Sequence, residues 1–414
     1  MTLKDISKNQ AFSSIGKWVF LCSIVGVLSG ITSSLFLVSL EWVTTLRDTH
    51  QWLLFLLPLG GLLIGFLYKK YDTDIAKGNN IILEEYEQPT QRVSFKLAPS
   101  ILLSTLITHF FGGSAGREGT AVQMSASIAD QFSRWISFSK NERKTLLIIG
   151  MSAGFASVFG TPVAGALFAL EIVYFSKIAK NSFLLAIFTA FVAHFTVYFL
   201  GVQHTKYVQI LPVDISITHL LWIVLASVLF GLSALVFSKT IHFITKQCKI
   251  YIKNPIFRPF LGGVILVAFF QFDFFTQFMG LGIPSIQNAF LVKSGNFDFA
   301  LKLIFTAITL GFGFKGGEVT PLFFMGATLG SALSGFIPMP MAVLAAVGFV
   351  AVFAGATHTP IASTVMAMEL FGFEIGFFAA IGCFVAYLFS GRMGIYSSQI
   401  VGGLKIRVYH FIGI

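Results

Sequence analysis

Two glutamates occupy similar surroundings in a chain that otherwise contains few charges. Glu118 lies in the stretch GSAGREGT, and Glu318 lies 200 residues later in KGGEVTP. The run that follows the second glutamate, Val319–Met368, contains no Asp, Glu, Lys or Arg. An acid inside an apolar run is costly in free energy and marks ion pathways and proton relays in membrane proteins. Both carboxylates are therefore candidates for proton transfer and for competition with an anion.

The composition places these glutamates in a membrane protein. Of the 414 residues, 55% are hydrophobic and only 11% are charged, whereas about a quarter of the residues of a soluble protein are charged. Several uncharged runs are about long enough, or nearly so, for a helix to cross a bilayer. The sequence therefore predicts an all-α polytopic membrane protein. The runs are Trp18–Leu40, Gln51–Tyr68, Leu97–Gly116, Thr145–Leu170, Ser182–Thr205, Ile215–Ser238, Phe274–Val292 and Ile375–Gly391.

The net charge of +10 does not indicate nucleic-acid binding. Basic residues gather in short connections between the apolar runs, a bias that sets the orientation of membrane proteins and predicts both termini in the cytoplasm. The three cysteines lie far apart and show neither a disulfide framework nor a metal-binding spacing. We therefore expect no metal, no cofactor and no nucleic acid. The basic connections are Lys69–Lys70, Lys140–Lys144, Lys239–Lys253 and the residues Lys405 and Arg407.

An internal repeat relates the two halves of the chain. The segment TPVAGALFALE ends at Glu171, and the segment TPIASTVMAME ends at Glu369, so both read T-P-x-A-x(4)-A-x-E. We predict one transmembrane domain over residues 1–414, with repeats at about 15–205 and 215–400 and no C-terminal soluble domain. Repeats interrupted by Gly and Pro are typical of transporters with a substrate site near the midplane. Chance similarity between glycine-rich apolar stretches is the alternative.

Three stretches predict helices that begin inside the membrane. They are KGNNII near Gly78, GSAGREGT at Glu118 and GGEVTP, where Pro321 suits the first turn of a helix. Broken helices persist in a membrane only where they are buried in protein or line a cavity. Their free N–H groups and positive dipole ends bind anions. Together with the late tyrosine of GIYSSQ, Tyr396, these stretches predict an anion site without a metal.

In this order and spacing, the motifs resemble those of the CLC chloride channels and transporters. GSAGREGT resembles their G-[KR]-E-G-P signature, GGEVTP lies where they carry G-x-F-x-P, and GNN lies where they carry G-S-G-I-P. The match covers nearly the whole chain. It implies the CLC fold, an inverted repeat of tilted and often broken helices. It also implies a homodimer in the lipid bilayer with one anion path in each subunit.

The departures from the family pattern resemble its bacterial fluoride/proton antiporter branch. Asn79 replaces the serine that coordinates chloride, Thr120 replaces a proline, and Val319 replaces an aromatic residue. Ile172 stands where CLC exchangers carry a second proton-handling glutamate, so Glu318 is expected to take over that work. The resemblance implies a secondary transporter in the bacterial plasma membrane that exports fluoride in exchange for protons. Bound fluoride or another halide is then the expected ligand.

The resemblance also assigns roles to residues. Glu118 is expected to occupy the anion path when ionised and to leave it when protonated. Because neighbouring residues on a helix do not face each other, we do not expect Arg117 to pair with it. Simpler roles remain open for Glu318 as a helix-start acid and for Tyr396 as an interfacial aromatic. The expected anion-binding residues are Gly78, Asn79, Asn80, Gly116, Gly119, Val319, Thr320, Phe353 and Tyr396.

Turn and capping roles are alternatives for two of these residues. Asn79 lies in GNN, which is also an ordinary turn sequence, and Thr320 also suits the start of a helix. Two rival functions remain as well. The first is a chloride/proton exchanger or passive anion channel of the same fold. The second is an intramembrane enzyme that uses Glu118 and Glu318 as an acid/base pair, which we do not expect because no substrate domain is apparent.

Overall fold

The computed structural model describes residues 3–71, 77–173 and 181–400 and the single positions 405 and 409. Its regular elements are helices, and the only extended pairing within these residues is one isolated bridge between Gly116 and Gly317. This confirms the predicted all-α class. The first half contains α1 (Leu3–Thr49), α2 (Leu57–Tyr71), α3 (Asn79–Glu87), α4 (Leu97–Phe110), α5 (Glu118–Gln131), α6 (Lys140–Phe159), α7 (Pro162–Glu171) and α8 (Phe183–Phe199).

The second half follows the same pattern of long, short and broken helices. Short 3-10 helices cover Gln51–Leu56 and Phe132–Arg134 in the first half and Phe373–Ile375 in the second half. The α-helices of this half are α9 (Ile217–Tyr251), α10 (Phe257–Phe270), α11 (Asp273–Thr276), α12 (Ile283–Asn288), α13 (Asp298–Gly311), α14 (Val319–Leu333), α15 (Met341–Thr357), α16 (Pro360–Phe371) and α17 (Gly376–Phe389).

Several predicted crossings are not single helices. Among the described residues, three helical stretches are long and apolar enough to span a membrane: Ile15–Thr49, Gln51–Lys70 and Ile217–Tyr251. The prediction of one crossing over Phe274–Val292 is wrong, because Gly282, with a φ of 72°, separates the short helices α11 and α12. The prediction over Thr145–Leu170 is also wrong. There Gly160, with a φ of 76°, ends α6, and Pro162 begins α7.

The long uncharged run after Glu318 forms the centre of the protein rather than a lipid-facing surface. Almost every side chain of α14 and α15 is buried. The two helices approach closely because both carry glycine where they meet. A Cβ atom placed on Gly326 would clash with the carbonyl oxygen of Gly348. Small residues allow such backbone contact between transmembrane helices, and here they pack one broken helix against its neighbour.

The glutamates that end the two repeated segments bind each other's helices. Glu171, at the end of α7, accepts hydrogen bonds from the N–H groups of Ile361 and Ala362 at the start of α16, at 3.0 and 2.7 Å. Glu369, near the end of α16, accepts from Val163 and Ala164 at the start of α7, at 3.0 and 2.8 Å. The two helices therefore run antiparallel, and each caps the other. This reciprocity supports an inverted repeat, while its boundaries at 15–205 and 215–400 stay a prediction.

We expect the Glu171→Ala variant to lose about 1–3 kcal/mol of stability, because the buried N–H of Ala362 and the part-buried N–H of Ile361 lose their acceptor. Glu171 is only 8% exposed, so water is a poor substitute there. The Glu369→Ala variant is the matched control and should lose less, because Glu369 is exposed. Thermal unfolding of both purified variants in detergent gives the comparison. Equal midpoints for Glu171→Ala and the wild type would contradict this account of the two caps.

Candidate functional site

Helices α5 and α14, one from each half, begin beside each other in the middle of the protein. Gly116 and Gly317 join the two preceding loops by reciprocal backbone hydrogen bonds of 2.6 and 2.7 Å. Gly317 must be small, since a Cβ there would lie 2.8 Å from the backbone nitrogen of Gly119 and 3.2 Å from that of Glu118. The loop thus lies directly against the N–H groups at the start of α5. The N-terminal ends of α5 and α14, each with the positive end of its helix dipole, therefore meet at one point.

The carboxylate of Glu118 lies on the start of α14. Its Oε1 and Oε2 atoms accept hydrogen bonds from the Thr320 hydroxyl at 2.7 and 2.6 Å, and Oε2 also accepts from the Thr320 backbone N–H at 3.1 Å. A third donor, the backbone N–H of Arg117, lies 3.2 Å from Oε2. Glu118 is 1% exposed. Its carboxylate therefore uses the helix-start donors that a bound anion would need.

The expectation that Arg117 does not pair with Glu118 is wrong. The Nε atom of Arg117 lies 3.7 Å from Oε1 of Glu118. The helical argument fails because Arg117 precedes the first residue of α5 and is not constrained by helical side-chain spacing. The Nη2 atom of Arg117 also donates to the hydroxyl of Thr205 at 3.3 Å. Arg117 thus lies between Glu118 and the loop that follows α8.

A small cavity lies next to Glu118, with room for about one water-sized particle. Polar and aromatic side chains share its wall. The cavity therefore lies directly beside the Glu118 carboxylate. Its lining residues are Arg117, Glu118, Val158, Phe159, Thr205, Tyr207, Ile283, Thr320 and Phe323.

Glu318 immediately precedes α14 and is half-buried. Its Oε2 atom is buried and has no hydrogen-bond partner. This atom lies 3.4 Å from the position that a Cβ would take on Gly119, so it faces the start of α5. The side chain is close enough to Glu118 and Lys315 for electrostatic interaction with both. Glu318 is therefore a second acid at the same meeting point, and its unpaired oxygen is able to take up a proton or accept from a ligand.

Helix α3 brings the predicted GNN stretch to the same place. Gly78 adopts a φ of 60° and a ψ of −130°, which favours glycine, and α3 begins directly after it at Asn79. The Nδ2 atom of Asn79 lies 3.1 Å from the position of a Cβ on Gly119, while its Oδ1 atom is buried without a partner. Asn79 and Glu318 thus flank Gly119 from two different helix starts.

The loop that follows α17 contains Tyr396 and adds this residue to the same site. Tyr396 is 4% exposed and lies within electrostatic range of both Glu318 and Glu118. Asn80 accepts a hydrogen bond from the Ser398 backbone N–H at 3.0 Å, and therefore ties α3 to this loop. The Oδ1 atom of Asn80 is accordingly used for positioning rather than left open to a ligand.

Two other predicted residues lie at the edge of this arrangement. Val319 is 1% exposed and contributes its backbone to the first turn of α14. Phe353 lies in the middle of α15, with its ring centroid 5.2 Å from that of Phe323, which lines the cavity. Phe353 therefore stands behind the cavity wall and not in it. Its role as a direct ligand stays a prediction that the structure does not favour.

One polar residue near these helix starts was not anticipated from the sequence. Gln123 is 3% exposed and directs its amide group toward Gly78. The sequence feature that could have indicated Gln123 is its spacing. Gln123 follows Gly119 by four residues and therefore shares a helix face with it. Thr120 adds a further feature, since a threonine in place of proline leaves one more backbone N–H at the start of α5.

Comparison with known proteins identifies the family. The sequence profile described as voltage gated chloride channel matches residues 60–391. The chain belongs to this family. Its members are membrane proteins that transport ions, and they are not enzymes and need no cofactor. The acid/base enzyme alternative is thereby removed, and the resemblance to CLC proteins is confirmed.

Individual relatives extend this finding to most of the chain. A chloride/fluoride channel protein of Pseudomonas syringae pv. tomato is 43% identical over 400 residues, which are 94% of this chain and 88% of the relative. The solved structure of a CLC-type fluoride/proton antiporter is 33% identical with a TM-score of 0.90, covering 94% of this chain and 98% of the other. A slow cyanobacterial Cl−/H+ antiporter is 19% identical with a TM-score of 0.78, over 96% of this chain and 99% of its own, and shows the same fold.

Proposed function

We propose that this protein exports fluoride in exchange for protons. The observation that carries the proposal is the Glu118 carboxylate, which occupies the N–H and hydroxyl donors of Thr320 at the start of α14. A carboxylate and a small anion compete for these donors. Protonation removes the charge of Glu118 and weakens its hold, so an anion takes the donors while the proton moves with the side chain. Proton uptake and anion movement are thereby linked.

The departures from the chloride pattern support fluoride as the anion. Fluoride is small and strongly hydrated, so a site needs several strong donors to offset its dehydration. Asn79 offers an amide N–H where chloride-binding relatives offer a hydroxyl, and Thr120 adds a backbone N–H at the start of α5. Ile172 is buried and cannot carry a proton. Glu318 is the remaining acid beside Glu118, which supports a role for it in proton coupling. The structural relative described as a CLC-type fluoride/proton antiporter supports this choice, while the Pseudomonas relative is named for both chloride and fluoride.

The same proposal covers assembly and orientation. We place the protein in the bacterial plasma membrane as a homodimer with one ion path in each subunit. The last turns of α2 and α9 carry Lys69, Lys70 and Lys249, and Lys17 near the start of α1 pairs with Glu142 in the first turn of α6. The positive-inside bias assigns such basic ends to the cytoplasm. The proton gradient then drives fluoride outward. This direction matters because hydrogen fluoride enters cells at low pH and ionises inside.

Reconstituted liposomes test the proposal. Vesicles loaded with fluoride should release it to a fluoride-selective electrode, and their internal pH should fall at the same time as protons enter. Vesicles without protein measure the passive leak of fluoride and protons. The expected ratio of fluoride to chloride efflux is well above one. Chloride efflux equal to or above fluoride efflux would favour the chloride exchanger, and fluoride efflux without a pH change would favour the passive channel.

A further inference from the structure

The starts of α3 and α5 and the loop before α14 bring together a group of residues that we call the inner polar cluster: Gly78, Asn79, Gly119, Gln123 and Glu318. Two glycines allow the polar side chains to come close to the backbone. A Cβ on Gly119 would lie 3.1 Å from Nδ2 of Asn79 and 3.4 Å from Oε2 of Glu318. A Cβ on Gly78 would lie 3.5 Å from both Nε2 and Oε1 of Gln123. Three polar side chains therefore lie directly against two positions that glycine keeps free of a side chain.

Three acceptor atoms of this cluster have no donors. Oδ1 of Asn79, Oε1 of Gln123 and Oε2 of Glu318 are all buried and all lack a hydrogen-bond partner. A single unpaired buried acceptor is unfavourable by about 1–3 kcal/mol, and buried polar groups in folded proteins are otherwise nearly always bonded. Three such atoms around the starts of α3 and α5 indicate an occupant that brings hydrogen atoms with it. A bare anion does not satisfy them, because it only accepts hydrogen bonds.

We infer that Gln123 is a further ligand-binding residue of the ion pathway, which with Asn79 binds fluoride together with a water molecule. The inference rests on the proposed fluoride transport. The amide N–H groups of Asn79 and Gln123 donate to the anion, and their carbonyl oxygens accept from the accompanying water. An amide is suited to this because it is both donor and acceptor. Fluoride then keeps part of its hydration while it passes between the helix starts, which lowers the cost of dehydration.

The position of Gln123 on α5 places this binding site close to Glu118. Gln123 and Gly119 share one helix face, and Gly119 directly follows Glu118. An occupant between Gln123 and Asn79 therefore lies one helical turn from the residue whose carboxylate competes for anion donors. Such a position holds fluoride next to Glu118 before or after exchange.

The test replaces Gln123 by methionine, which has a similar length and neither donates nor accepts strongly. We expect the KM for fluoride efflux from liposomes to rise at least about tenfold, the equivalent of one hydrogen bond to a charged group. The number of protons moved per fluoride should stay unchanged, since Glu118 and Glu318 are intact. The Gln123→Glu variant should raise KM further, because an ionised carboxylate repels the anion.

Gln131 provides a matched control on the same helix. It is also buried, at 6% exposure, and its Oε1 atom also lacks a partner, but its Nε2 atom donates to the carbonyl oxygens of Val93 and Ser127 at 2.9 and 2.8 Å. The Gln131→Met variant should therefore lower the thermal unfolding midpoint and leave the KM for fluoride unchanged. This separates loss of a ligand contact from loss of a structural one.

Each outcome decides the inference. An unchanged KM in Gln123→Met overturns it, and so does a rise of equal size in Gln131→Met. If Gln123→Met does not give a monodisperse protein, Gln123→Asn keeps the amide but shortens its reach. A raised KM in that variant supports the inference, and a wild-type KM overturns it. A wild-type protein that moves no fluoride in the same assay defeats the proposed function instead, so the two failures are distinguishable.

Discussion

The Glu118→Gln variant moves no protons when a fluoride gradient is imposed. Glutamine has nearly the same size and shape as glutamate, but it stays neutral and cannot take up and release a proton. The hydroxyl and N–H of Thr320 at the start of α14 then lose their charged competitor. Fluoride passage is no longer tied to a change in the charge of the side chain. We expect proton flux to fall at least about a hundredfold, to the leak of protein-free vesicles, as for a general acid–base group that is removed.

The measurement combines a fluoride-selective electrode outside the vesicles with a pH-sensitive dye inside them. The Glu41→Gln variant is the control, because Glu41 is exposed on α1, away from the helix starts. It should keep the proton-to-fluoride ratio of the wild type. Normal proton movement in Glu118→Gln would contradict the mechanism, since the proton would then have to travel through another group.

The meeting of α5 and α14 at Glu118 could be predicted from the sequence. Glycine, proline and glutamate at fixed offsets mark helix starts by local backbone chemistry, and local chemistry is visible in a sequence. The repeat of these marks in both halves also placed Glu118 and Thr320 near each other. The structure brings the two side chains within hydrogen-bond distance.

Contacts between distant parts of the chain could not be predicted in the same way. Hydropathy did not separate α14 and α15, which are buried in protein, from helices that face lipid, because both environments select apolar residues. The pairing of Glu171 with the start of α16 depends on an antiparallel arrangement that no local signal records. The contact between Arg117 and Glu118 depends on the residue at which α5 begins, and helix boundaries are the least certain part of any sequence-based prediction.

Gln123 shows a different limit. A buried glutamine in a helix has no special sequence signature, and the similar Gln131 of the same helix bonds to backbone carbonyl groups. Both glutamines have a buried Oε1 atom without a partner. What distinguishes Gln123 is that its amide group lies beside Gly78, whereas the amide of Gln131 donates to backbone carbonyl groups. This difference arises from the packing of α3 against α5, so it is visible in the structure and not in the sequence.

Replacement of Glu318 by glutamine should have the second large effect. The Glu318 side chain lies within electrostatic range of Glu118, and its buried Oε2 atom has no partner. Like charges that lie close together in a protein interior repel each other, so loss of the Glu318 charge changes the electrostatic surroundings of Glu118. We expect Glu318→Gln to lose proton-coupled turnover at least about tenfold.

A pair of substitutions separates the two possible roles of Glu318. Glutamine preserves the volume and the hydrogen-bonding reach of the side chain but not its charge, whereas alanine removes all three. If proton coupling is lost equally in Glu318→Gln and Glu318→Ala, then the ionisable group itself is required. If only Glu318→Ala loses turnover, then Glu318 acts as a polar contact for the anion or its water. Both measurements use the electrode and dye assay, with fluoride and proton fluxes recorded together.

Wild-type coupling in both variants would assign a simpler role to Glu318. An acid at the start of a helix interacts favourably with the helix dipole, by about 0.3–1 kcal/mol, and this alone would justify its place before α14. That reading leaves the buried and unpaired Oε2 atom without explanation, because an acid that only stabilises the dipole gains nothing from facing Gly119 and α5. The orientation of the carboxylate across the gap between the two halves therefore favours a role in the exchange itself.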